Sequence, residues 1–120
     1  MNESTEQSTS KKTPRENIAS LSDIALKHYG LENRLTQAQI DMAEMTIAMG
    51  HFFQVGEPAR SDLEQKLASV IVVTEQLRAA FGPAKIDEQI QIQLRNLKAY
   101  IRKDREEAGQ EVGVVGATRG

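Results

Sequence analysis

The chain has 120 residues, 39% of them hydrophobic, which suits one small domain with one core. Fifteen basic residues against seventeen acidic ones leave a formal charge of −2, which excludes a strongly basic nucleic-acid binder and an acidic solvating chain. With no cysteine, two histidines and 4% aromatics, disulfides, thiol catalysis, cysteine-based metal sites and a base-stacking platform are also excluded.

Residues 1–13 are rich in Ser, Thr, Glu and Gln and carry no strong hydrophobe after Met1, so a disordered tail is expected. A single helical domain is expected over 14–108, and a Gly-rich flexible tail over 109–120. No window approaches the roughly 18 apolar residues of a membrane span, and no leader pattern opens the chain. A cytoplasmic protein without membrane association is therefore expected.

Four helices are predicted. The first opens on Thr13-Pro14-Arg15-Glu16, a capping box with proline at the first helical position, and stops at Gly30. Its predicted apolar side is Ile18, Leu21, Ile24 and Ala25, with His28 at the edge. The second is predicted from a capping box at Thr36-Gln37-Ala38-Gln39 to about Phe53, ahead of Gly56. It is apolar on two sides. Met42, Met45, Met49, Phe52 and Phe53 share one face, while Ile40, Ala43 and Ile47 lie nearly opposite.

The third helix is predicted from Glu57-Pro58 and the Ser61–Glu64 capping box to Gly82-Pro83. Its seam is Leu63, Leu67, Val70, Thr74, Leu77 and Phe81, spaced alternately by four and three. The fourth helix runs from about Pro83 to Glu107, with a seam of Ile86, Ile90, Leu94, Leu97 and Ile101. The β-branched run Val70–Val73 and the alternation over Ile90–Leu94 favour strand locally. Helix is still predicted, because the seams persist and the flanking residues favour it. The fold expected is all-α: a small four-helix arrangement built on an antiparallel helical hairpin over about 61–107.

No catalytic residue, cofactor site or metal site is assigned. Glu44 and His51 are two turns apart on one helix, with no paired ligand motif. A cleft enclosing Asp41, Glu44 and His51 is what an enzyme would need. The segment LSDIALKHYGLENRLTQAQI superficially suits a helix-turn-helix, but its glycine falls one residue late. Residues 18–57 also carry five acids against two bases, which opposes docking on phosphate.

Two surfaces remain. The surplus apolar faces predict a non-enzymatic, self-associating interaction or adaptor protein, with a dimer as the expected oligomer and another protein as a partner. Self-association is assigned to Leu63, Leu67, Val70, Leu77, Leu94, Leu97 and Ile101 if the seams pair between chains. If they pair within a chain, it falls to Met42, Met45, Met49, Phe52 and Phe53. The second surface is a ridge of Arg95, Lys98, Arg102 and Arg105 flanked by Lys103. It supports the alternative of a small nucleic-acid-associated regulator, with Lys11, Lys12 and Arg15 as a basic arm.

Overall fold

The computed structural model describes residues 13–115, with side chains to Gly109; of the tails predicted at 1–13 and 109–120, residues 1–12 and 116–120 lie outside the described residues, and 109–115 are helical. The described chain is all-α. Helix α1 spans Pro14–Tyr29, α2 Leu31–Val55, α3 Arg60–Phe81 and α4 Pro83–Val115, with a single 3-10 turn at Glu57–Ala59. The chain divides after Pro83 into two compact units, the first holding α1 to α3 and the second α4.

Local chemistry explains most of the boundaries. The Thr13 hydroxyl accepts from the Glu16 amide at 3.1 Å, and the Glu16 carboxylate accepts from the Thr13 amide at 3.0 Å. Both ends of the capping box are therefore made. Gly30, at φ 88°, ends α1 by donating its amide to the Leu26 carbonyl at 2.8 Å. Its own carbonyl accepts from the Arg34 amide at 3.1 Å, so the same residue also begins α2. A side chain at that positive φ would be strained, and only glycine joins two helices there without cost.

Three predicted limits are corrected. Helix α2 starts at Leu31, five residues before the expected capping box, because Gly30 already supplies its first acceptor. Thr36 lies inside the helix and donates its hydroxyl to the Glu32 carbonyl at 3.1 Å, a back-bond that satisfies it without a helix end. The Ser61–Glu64 box is likewise inside α3, whose first turn follows directly from the 3-10 turn. There Arg60 pairs with Glu57 at 3.2 Å and Glu64 at 3.1 Å. Helix α4 runs through Gly109 to Val115 instead of stopping near Glu107. Both strand-like stretches, Val70–Val73 and Ile90–Leu94, are helical as predicted.

In the first unit, α2 packs most extensively on α3, and α1 packs mainly on α3. The antiparallel run of α2 and α3 is closed by the Gly56–Ala59 turn at one end and an Arg34–Gln76 hydrogen bond at the other. The fully enclosed side chains are small: Ala38, Ala48, Ala59, Val73 and Ser22, with Gln76 nearly so. Ser22 is accommodated because its hydroxyl donates to the Ile18 carbonyl at 2.7 Å. The predicted apolar side of α1 is corrected by this packing. Leu21 and Ile24 are exposed, and the inward side is Ile18, Ser22, Ala25 and Leu26.

The hairpin expected over 61–107 spans the two units and is not among the packings that hold the first. Within the first unit, α3 uses part of its seam on α1 and α2. Leu63, Val70 and Leu77 are half-buried, whereas Leu67 and Phe81 are exposed. The buried centre of α3 is Val73, which the seam does not include.

Val73, 2% exposed, should therefore matter more than Leu67, 48% exposed. Val73→Ala is expected to lower unfolding free energy by about 2 kcal/mol through lost burial and a cavity. Leu67→Ala should cost well under ~1 kcal/mol if that face is free. Urea denaturation of both variants checks the ranking.

Candidate functional site

Two groupings of side chains are candidates, one in each unit. The first is polar and was not anticipated from sequence. Arg34 on α2 donates from Nη1 to the Gln76 Oε1 on α3 at 3.0 Å. Its Nε donates to the Asn33 Oδ1 at 3.0 Å, and Nη2 reaches the same oxygen. The guanidinium carbon stands 4.2 Å from the centre of the Tyr29 ring, at the end of α1. His28 meets that ring edge-on at 4.6 Å between centroids.

One guanidinium thus touches all three helices of the unit. Its planar fork suits both tasks, because the edge donates hydrogen bonds while the face lies on an aromatic ring. One turn further along α2, Gln37 donates to Asp41 at 2.9 Å. Arg34, Gln37, Asp41 and Gln76 line a shallow groove between α2 and α3 together with Ala68, Val72 and Val73, so its polar side chains stand against an apolar wall. Its polar side chains largely bond one another, so the groove is a structural cross-link before it is a receptor. The signal in the sequence was weak: a lone arginine and a glutamine 42 residues apart.

The expected acid–base cluster does not assemble. Asp41 is half-buried and bonded to Gln37, while Glu44 and His51 are exposed.

The Met/Phe face predicted on α2 is split by the packing. Met45 and Phe52 are half-buried and share the inward face of α2 with the buried Ala38 and Ala48. Met42 and Met49 are exposed at the rim, and Phe53 is 87% exposed. Ile40 and Ile47, on the opposite side, are exposed as well.

The second grouping lies on α4, described by itself. Every described side chain from 87 to 109 is exposed. Ile90, Leu94, Leu97 and Ile101 recur at steps of four, three and four, so they form one continuous stripe along the helix. Leu94, Leu97 and Ile101 share a shallow depression with Lys98, Arg102 and Arg105. The predicted cations are thus gathered along one flank of the stripe, with Arg95 extending the row and Lys103 on the other flank. Comparison with protein-family models, curated proteins and solved structures gives no match. The functional reading therefore rests on these two groupings alone.

The Arg34 cluster yields a stability prediction. Arg34→Ala should cost about 1–3 kcal/mol, because the nearly buried Gln76 carbonyl loses its partner. Arg34→Lys should recover less than half, since an ammonium cannot bond Gln76 and Asn33 while stacking on Tyr29. Denaturant unfolding, followed by circular dichroism, distinguishes the three proteins.

Proposed function

We propose that the protein is a non-enzymatic, self-associating helical interaction protein that works through exposed helix faces. The observation that carries this reading is the α4 stripe. Four large aliphatic side chains, Ile90, Leu94, Leu97 and Ile101, stand between 43% and 53% exposed on one face of a 33-residue helix. An isolated amphipathic helix gains little from propensity alone and is stabilised mainly by burying its apolar side. Contiguous apolar surface of this kind marks a protein-interaction site. The exposed Met42, Met49 and Phe53 on α2 offer a second adaptable apolar surface for another protein.

One observation favours a second reading. Among the described residues, Arg95, Lys98, Arg102, Lys103 and Arg105 lie within eleven positions and form no ion pair. Cations free of internal partners can follow a phosphate backbone, and a dimer would carry two such rows. A small nucleic-acid-associated regulator is the alternative this supports. The mixed charge around the ridge, with Asp104, Glu106 and Glu107, keeps it second. No helix of the described residues is long and apolar enough to cross a membrane.

Sedimentation equilibrium tests the first reading. The wild-type chain is expected to form a dimer, and Leu94→Asp/Leu97→Asp should weaken association at least about a hundredfold, two buried aliphatics being worth roughly 3 kcal/mol or more. A well-folded monomer at high concentration would overturn it. For the second reading, Arg95→Gln/Lys98→Gln/Arg102→Gln should abolish salt-sensitive retention on DNA; unchanged retention would remove the ridge from that role.

A further inference from the structure

The α4 stripe also carries information about its occupant. Assigning Leu94 and Ile101 to heptad position a places Ile90 and Leu97 at d, and the apolar layers end at Asp87 on one side and Asp104 on the other. The stripe is thus about two heptads long, with an acid at the next core position at each end. Those acids limit how far a partner helix can slide.

The charges around the stripe are arranged in blocks. Asp87 and Glu88 precede the cation row, with Lys85 as the sole base of that first part. Arg95, Lys98, Arg102, Lys103 and Arg105 follow, against the single acid Asp104, and Glu106, Glu107 and Glu111 close the helix. A parallel, in-register pair would lay the cation block on its own copy and the acidic end on its own copy. Both superpositions are repulsive. Reversing one helix about the midpoint between Arg95 and Asn96 preserves every apolar layer and moves the cation block and the acidic end off their own copies, while Asp87 meets the second copy's Asp104 just beyond the apolar stripe at each end. The cation block then faces the segment holding Asp87 and Glu88, and the two helix dipoles oppose each other.

The flanking positions agree with the reversed arrangement. Lys98 and Arg105 occupy position e, which in an antiparallel pair faces e of the other helix. The residues met there are Gln91 and Ala84, with Glu88 alongside, so no cation at e meets another. On the remaining flank, Gln93 meets Tyr100, both uncharged.

We propose that α4 pairs antiparallel with α4 of a second copy of this chain, Leu94 against the second copy's Leu97 and Ile90 against its Ile101. This rests on the self-association reading and makes it specific to one helix, one direction and one register. The cation row is then partly spent on the second copy's Glu88, and its outer edge stays open to solvent.

The absence of cysteine makes the test direct, because single thiols can be placed in the 120-residue chain without background. Ile90→Cys and Ile101→Cys are made separately, checked for wild-type helicity, mixed, and oxidised. A disulfide needs the two Cα atoms within about 7 Å. In the proposed register residue 90 faces residue 101 of the other chain, while like positions are eleven residues apart, about 16 Å along the helix. The mixed dimer should therefore cross-link, and neither variant should cross-link with itself. Self-linking of each variant alone would establish a parallel pair and overturn the proposal. A dimer in sedimentation with no cross-link in the mixture would place association elsewhere, overturning the α4 pairing but leaving the self-association reading intact. A monomer would remove both. Charge reversal gives a second readout that needs no disulfide. Glu88→Arg should weaken the dimer about fivefold, from two symmetry-related exposed pairs with the second copy's Arg105 at position e, and adding Arg105→Glu should restore it. Weakening that Arg105→Glu deepens would contradict the register.

Discussion

The close approach of α2 and α3 over small side chains is the constraint on which the rest of the first unit depends. Ala38, Ala48, Ala59 and Val73 are the apolar residues fully enclosed, and none is larger than valine. Small residues at a helix interface let the backbones come near each other, and close-packed interiors then have no room for a leucine or phenylalanine. The large side chains are consequently displaced to the rim or beyond it. Met45, Phe52, Leu63, Val70 and Leu77 reach half-burial, while Phe53, Ile47 and Ile24 do not. A core of this kind contributes modest hydrophobic stabilisation, and the same packing leaves apolar surface outside.

The polar contacts within the unit follow from the same geometry. Where α2 and α3 lie close, Gln76 is nearly buried and needs a partner, and Arg34 supplies one. Because the guanidinium also covers Tyr29, the end of α1 is tied to the same point. A buried polar group with one donor is a vulnerable arrangement, but it favours a single register between helices that small apolar residues alone would define weakly. Helix α4 carries the opposite pattern. Its large aliphatics are concentrated on one stripe, its charges are grouped in blocks, and its described side chains beyond Ile86 are all exposed. The first unit therefore encloses small residues and leaves scattered large apolar ones outside, whereas α4 concentrates its apolar residues on one stripe.

Punctuation was legible in the sequence because it depends on neighbours along the chain. The Thr13 capping box and the stops at Gly30, Gly56 and Gly82 are local hydrogen bonding and positive φ, which are encoded over four or five residues. Thr36 misled for the same local reason. A threonine or serine hydroxyl is satisfied equally at a helix start or by the carbonyl four residues back, and nothing nearby separates the two. On α1, the apolar residues Leu21 and Ile24 marked the wrong inward side, since Ser22 can be enclosed once its hydroxyl bonds to Ile18. The Arg34–Gln76 pair was invisible, because residues 42 apart are brought together only by a helical reversal.

By itself, then, the sequence determined four helices, three glycine joints, a stripe of aliphatics beside a row of cations, and the exclusion of thiol and cysteine–metal chemistry. Each follows from periodicity, backbone conformation or the presence of a functional group, all properties of a short stretch of chain. Only the tertiary structure decided which face of each helix is enclosed. Burial is a competition among faces for a limited interior, and in the first unit the small residues won it because they allow the closest approach. The 39% of hydrophobic residues that suggested a self-contained domain therefore does not translate into a large core. Much of it lies on the outer faces of α1, α2 and α3 and along the α4 stripe.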